Sequence, residues 1–277
     1  MAASRLTTGN HPLYEALERQ LAAFFGVEHA LVTSSAAIAD FALAQALAGD
    51  FTHTLMDARA HACLREAARF LGCPVLTFAH RDPAAVEHLV RRLGTRARLI
   101  LLTDGLFAHD GSVAPLRAYR EVLPPNAFIL VDDAHGAGVL GRRGRGAPEH
   151  EQVGGRGLLQ TLTLSKAFGA FGGVVLCDRA LRNRILQRGD LFAGTTPPPL
   201  PMAAALSARS TTSGSPSADG TAIAIGLFPT RRSAPPVGGI SGRVLQNATP
   251  TQPAADIAAS QRPAVPKWKP MRTATAP

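Results

Sequence analysis

Ala127-Phe-Ile-Leu-Val-Asp-Asp-Ala-His-Gly-Ala-Gly138 is the stretch that decides how this chain folds. Its apolar opening, Ala127 to Val131, does not alternate with polar residues. A run of that kind suits a strand buried on both faces, as in a parallel sheet covered by helices. Two acids, Asp132 and Asp133, end the run, and His135 follows in a glycine-rich turn. Successive strand side chains point to opposite faces, so only one of the two acids can serve a given site. The plainer reading is an acid pair that caps the next turn.

Downstream lies Thr161-Leu-Thr-Leu-Ser-Lys-Ala-Phe-Gly169, which places Lys166 just past another apolar strand, 34 positions after Asp132. Gly169, Gly172 and Gly173 follow, residues that let backbone approach a ligand closely. Upstream the same grammar repeats. The spacing predicts helices over 13–25, 36–48, 61–71, 82–93, 115–122 and 179–187. It predicts strands over 29–33, 52–57, 74–78, 98–103, 127–132, 158–164 and 174–177. Alternating strands and helices imply a three-layer α/β fold, a mainly parallel sheet flanked by helices. Chemistry in such sheets gathers at the carboxyl ends of strands. Ser34-Ser35, Asp57/His61, Asp104, Asp132/His135 and Ser165-Lys166 all fall there.

This pattern fills residues 1–206, expected to form one domain. The remaining residues, 207–277, contain no Glu, two acids, eight Lys/Arg and ten of the 21 prolines. They supply +6 of the net +9 charge, so the basic balance is a property of the tail. That composition cannot bury enough apolar surface to offset chain ordering, and a disordered tail is expected. The basic run Gly141-Arg-Arg-Gly-Arg-Gly146 lacks interleaved aromatics. It reads as a mobile turn at the mouth of a site, and no nucleic-acid partner is expected. Cys63, Cys73 and Cys177 have no metal-ligand spacing and read as reduced thiols filling core. No metal site, membrane span or signal peptide is expected, and the default location is the cytoplasm.

Lys166 with a strand-end acid and a histidine is the layout expected for pyridoxal 5'-phosphate (PLP). The lysine would hold the cofactor as a Schiff base, and one acid would keep its ring nitrogen protonated. A lone strand-end lysine is usually just solvated; the company of Asp132 and His135 favours the cofactor reading. His135 could reach the phenolic oxygen of the ring, or be an ordinary turn histidine. His61 could stack on the ring or cap a helix. Thr163 could bind phosphate or simply sit in a strand. Ser34-Ser35-Ala36-Ala37 opens a helix, where phosphate is welcome and serine is also a common cap.

Taken together, these runs resemble the α-oxoamine synthase group of fold-type I PLP enzymes, over roughly residues 4–206. Ser4-Arg-Leu-Thr-Thr-Gly-Asn-His11 with Leu17-Glu18 resembles the group's opening motif. Asp57-Ala-Arg-Ala-His-Ala62 resembles its cofactor-stacking histidine segment. Thr103-Asp-Gly-Leu-Phe-Ala-His-Asp-Gly111 is similar to a stretch that usually reads Glu-Gly-Val-Phe-Ser-Met-Asp-Gly. Phe192-Ala-Gly-Thr-Thr-Pro197 resembles the segment that lends a threonine to the neighbouring subunit's phosphate.

The resemblance implies catalytic roles for Lys166 (general base) and His61 (ring stacking). It implies cofactor contacts from Asp132, His135, Thr163, Ala36, Ala37 and, across a homodimer, Thr195. The reaction implied is decarboxylative condensation of an amino acid with an acyl-CoA or other acyl thioester. Aminotransfer, or a remnant that at most binds PLP, are the alternatives. The group's Gly-aromatic pair is Ala36-Ala37 here, its Asn is Asp40, and a common serine is Ala108. The group's leading segment and C-terminal small domain have no counterpart in the sequence, and a frame change just after Leu206 would account for the tail.

Overall fold

The computed structural model describes residues 3–212. A seven-stranded sheet is built from β1 (His29–Thr33), β2 (His53–Asp57), β3 (Val75–Phe78), β4 (Leu99–Asp104), β5 (Phe128–Asp132), β6 (Leu158–Thr163) and β7 (Gly173–Cys177). The strands lie in the order β1-β7-β6-β5-β4-β2-β3. All pairings are parallel except those of β7, which runs antiparallel to both β1 and β6.

The pleat sorts each strand between two cores. Ile100, Leu102, Leu130, Leu159 and Val175 face one core with Leu43, Leu64 and Ile185. Those three come from helices α2 (Ala36–Ala46), α3 (Ala62–Phe70) and α7 (Arg179–Arg188). On the opposite face, Leu99, Leu101, Ile129 and Val131 pack with residues of α4 (Pro83–Leu93) and α5 (Leu116–Val122). Further along that face, Val32, Leu162 and Val174 pack under α1 (Pro12–Phe25). Helices therefore cover both faces, as the unbroken apolar strands require. The short helices α6 (Ala147–His150) and α8 (Asp190–Gly194) and the longer α9 (Leu200–Thr212) were not evident from periodicity. The α9 helix runs through the composition break at Leu206, so residues 207–212 of the tail expected to be disordered (207–277) are helical instead, and the rest of that tail lies outside the described residues.

Two expectations are refined. The turn at Gly141–Gly146 is fastened by Glu149, whose carboxylate accepts from the Arg143 and Arg145 amides, both at 3.0 Å to Oε2. Arg145 lines a groove of about 1020 Å³ with Phe128, Leu158 and Arg184. That groove lies at the amino ends of β5 and β6, the opposite edge from Lys166, so this arginine is not at the mouth expected for it. The opening motif has a structural meaning. The Arg5 guanidinium pairs with Glu18 in the interior and donates to the Val32 carbonyl at 3.0 Å and to Asn10 Oδ1 at 2.9 Å. Glu18 Oε1 also accepts the Val32 amide at 2.8 Å, which ties the leading segment and α1 to the end of β1.

Removing one partner of such a pair strands a buried charge. Glu18→Ala should cost about 3–5 kcal/mol, read as a lower urea midpoint with an unchanged slope.

Candidate active site

The register of the central strands assembles the site. Asp104 on β4 lies beside Asp132 on β5, which lies beside Thr161 on β6. Asp132 shares the face of Leu130, toward α2 and α3, and is buried. Asp133 points to the other face, where its Oδ2 accepts from Gln160 Nε2 at 2.7 Å and the Ala147 amide at 3.0 Å. A Cβ on Gly146 would fall 1.6 Å from that oxygen, so only glycine fits there. The two acids are thus divided between a site and a loop anchor.

Around Asp132 the structure brings together Lys166, His135 and His61, each close enough to stabilise its carboxylate electrostatically. Lys166 Nζ lies 2.9 Å from His135 Nε2. A lysine only donates, so the lone pair of that imidazole is on Nε2. Burial, and next the positive charge of Lys166, pull the His135 imidazole below its ordinary value. Lys166 itself is exposed in the loop between β6 and β7. That loop is closed by bonds from Leu164 N to Gly172 O and from Ala170 N to Leu164 O, each 2.8 Å. Fully buried Phe168 anchors it, with ring centroids 6.3 Å from both Phe24 and Phe25.

His61 realises its plainer reading without leaving the site. Its Nδ1 accepts the Cys63 amide at 3.2 Å as the N-cap of α3, and its own amide donates to Asp104 Oδ1 at 2.8 Å. Thr163 Oγ1 donates to the Gly172 carbonyl and accepts the Ser165 amide, both at 3.2 Å, so it shapes the turn into Lys166. Ser35 caps α2 through Ile38 N at 3.3 Å. Ala36 and Ala37 open that helix, where the first amides have no partner within the helix. Gly173 lies so close to this helix start that a Cβ would meet Ser35 O at 2.2 Å. Thr195 is half-buried, with its hydroxyl donating to the Leu191 carbonyl at 2.9 Å.

Asp40, Asp104 and Cys63, none of which was given a cofactor contact, also belong here. Asp40, on α2, is fully buried; its Oδ1 accepts from Thr161 Oγ1 at 2.6 Å and its Oδ2 has no partner. Burial, then the nearby charge of Asp132, raise its carboxyl well above the ordinary range. Burial likewise raises Asp132, and it raises Asp104 to about 7. Cys63 was read as core filler, but burial and the charges of Asp40 and Asp132 raise its thiol to about 11, which places it beside this cluster. The signal for Asp40 was there: it is the lone acid in the apolar helix Ala36–Ala46. What it faces depends on the fold.

The architecture is that of a doubly covered α/β protein with the Asp132, His135 and Lys166 cluster at the carboxyl edge of the sheet. Residues 1–222 match the family Aminotransferase class I and II, and the chain belongs to that family. It is 36% identical over 209 residues to an 8-amino-7-oxononanoate synthase of Trichlorobacter lovleyi, covering 75% of this chain and 54% of that protein. The same-named protein of Maricaulis maris is 42% identical over 209 residues, covering 74% and 53%. Among solved structures the fold matches Sphingomonas wittichii serine palmitoyltransferase at a TM-score of 0.68 and 26% identity, over 74% of this chain and 52% of that one. The chain spans about half the length of the curated relatives it matches. No helix among the described residues is long and apolar enough to cross a membrane.

The Asp40 carboxyl gives a stability prediction with a definite sign. Its folded pKa lies above the ordinary 3.8, so across that window the folded chain binds more protons than the unfolded one. Stability from this group therefore falls as pH rises. Asp40→Asn can still accept from Thr161 and does not titrate. In the absence of ligand it should stabilise by about 1–3 kcal/mol at pH 8, with a smaller gain at pH 5, measured by urea unfolding at both values.

Proposed function

We propose that this chain holds PLP at Lys166 and belongs to an acyltransferase. The reaction would condense an amino acid with an acyl-CoA or other acyl thioester, releasing carbon dioxide and the thiol. The observation that carries the reading is Lys166 Nζ, 2.9 Å from His135 Nε2 and within electrostatic reach of the buried Asp132 carboxylate. The residues suit a flat, cationic ring with an anionic tail. Three carboxyls, Asp40, Asp104 and Asp132, are buried together, and the Asp40 Oδ2 is orphaned. A cationic ring nitrogen against Asp132 would relieve that desolvation.

When bound, the cofactor supplies an electron sink for charge that develops on the amino acid's α-carbon. The chain's own groups do the rest. Lys166 must lose a proton to act as nucleophile, and the lone pair of His135 Nε2, 2.9 Å away, would accept it. The neutral lysine amine would then be the base for the α-carbon proton. Asp132 would hold the proton on the ring nitrogen. His61 would cover one face of the ring, with its amide tied to Asp104. Phosphate would meet the Ala36 and Ala37 amides at the α2 N-terminus and the Thr163 hydroxyl. Thr195 would serve the neighbouring site of a homodimer. The relatives that are 8-amino-7-oxononanoate synthases support this class of chemistry. A cytoplasmic location accords with the free thiols.

The test is cofactor capture. The purified chain, incubated with PLP and reduced with borohydride, should yield a pyridoxyl group on the peptide that contains Lys166. Lys166→Ala should abolish it, and Asp132→Asn should weaken PLP binding roughly ten- to hundredfold. Folded protein that captures no cofactor would sink the reading. Thiol release from acyl-CoA in the presence of amino acids then tests turnover.

A further inference from the structure

Three loops meet at the carboxyl ends of β2, β3 and β4, on the side of the sheet away from β6 and Lys166. They bring together His80, His109 and Asp110, each offering one nitrogen or carboxylate oxygen within 4.8 Å of the other two. The arrangement behind them is built. Asp57 is buried at the end of β2, and its Oδ2 accepts the Arg81 amide at 2.9 Å. Its Oδ1 accepts the Arg59 amide at 2.8 Å and faces His80 Nδ1 at 2.9 Å. A carboxylate held this way is an acceptor, so His80 carries its proton on Nδ1 and turns the lone pair of Nε2 outward. The ring is further fixed edge-to-face against buried Phe107, at 4.4 Å between centroids.

On the outward side the cationic partner of Asp110 Oδ2 is the Arg59 guanidinium, at 3.5 Å and half-exposed. His80 Nε2 is buried without a hydrogen-bond partner. The group it faces is another acceptor, Asp110 Oδ2, at 4.0 Å, too far for a hydrogen bond. The other carboxylate oxygen, Asp110 Oδ1, is engaged by the Ser112 amide at 2.9 Å, which aims Oδ2 at the two imidazoles. His109 Nε2 lies 3.0 Å from the same Oδ2 and 2.6 Å from Arg59 Nη1. It can donate to the first or accept from the second, but not both.

We propose that His80, His109 and Asp110 form a binding site for a first-row divalent transition-metal ion such as zinc. Two imidazoles and one carboxylate are the donors such an ion prefers, and tetrahedral ligands at ~2.1 Å stand roughly 3.4 Å apart. The separations of 3.0 and 4.0 Å bracket that value. Asp57 behind His80 is the carboxylate–histidine support that fixes a metal-binding tautomer and ring orientation. His109 and Asp110 are exposed, which leaves an entry path and room for solvent ligands. Arg59 would turn out to solvent as the ion takes His109, and the ion would pin the β4–α5 loop to the β3–α4 loop. None of this depends on the reading at Lys166.

The test uses the full chain, freed of metal and of any purification tag, titrated with zinc chloride alone by calorimetry. One saturable equivalent is expected. His109→Ala and Asp110→Asn, both at exposed positions, should each weaken it roughly tenfold or more without changing the circular dichroism spectrum. Cobalt substituted for zinc should show the visible absorption of a low-symmetry nitrogen–oxygen site, lost in both variants. No zinc uptake, or uptake as tight in both variants as in the unaltered chain, would overturn the proposal.

Discussion

The pleat of β5 is the constraint on which the rest depends. Because successive side chains leave opposite faces of a strand, the adjacent acids cannot act together. Asp133 goes to the α6 side, takes the Gln160 amide and the Ala147 N–H, and fixes the turn that follows. Asp132 goes to the α2 side, where its parallel neighbours in register are Asp104 and Thr161. This alternation of strand side chains thus separates a loop-anchoring carboxylate from one that faces Lys166 and His135, and lines up a row of polar groups across three strands.

That row is electrostatically unbalanced in the protein alone. Asp40, Asp104 and Asp132 are all buried, and burial raises the carboxyls of all three. The compensating charge comes from Lys166, delivered from a loop that has little freedom. Phe168 is sunk beneath α1, and the Thr163 hydroxyl ties the loop's start to its end at Gly172. The lysine is exposed, yet its backbone is held by buried groups on both sides. A cluster of buried acids around a positioned amine costs folding free energy, and such local cost is typical of sites where chemistry is done.

Much of the fold was legible because its strands are buried on both faces. Leu99–Asp104 and Phe128–Asp132 announce themselves as apolar runs, and Asp82 before Pro83 marks the α4 start that the structure shows. What escaped was short or unpatterned: α6 has four residues and α8 five, too few for a period to register. The turn at Gly141–Gly146 looked like a free basic loop, since nothing in the local sequence shows that Glu149 folds back on its amides. Cys63 looked like core because its neighbours in sequence are apolar; its neighbours in space are Asp40 and Asp132.

The sequence by itself determined the layers, the strand-end positions of Lys166, Asp132, His135 and His61, and the rule that only one of the two adjacent acids can serve a given site. These follow from local rules: apolar runs, caps and the two-residue period of a strand. Tertiary structure alone decided that Asp40 presses against Thr161 beside Asp132, 92 positions along the chain. It alone decided that His80, backed by Asp57, meets the neighbouring His109 and Asp110. Contacts of this kind arise from strand order and register, which depend on how whole elements stack, and no local pattern encodes which distant side chains will share a low-dielectric pocket.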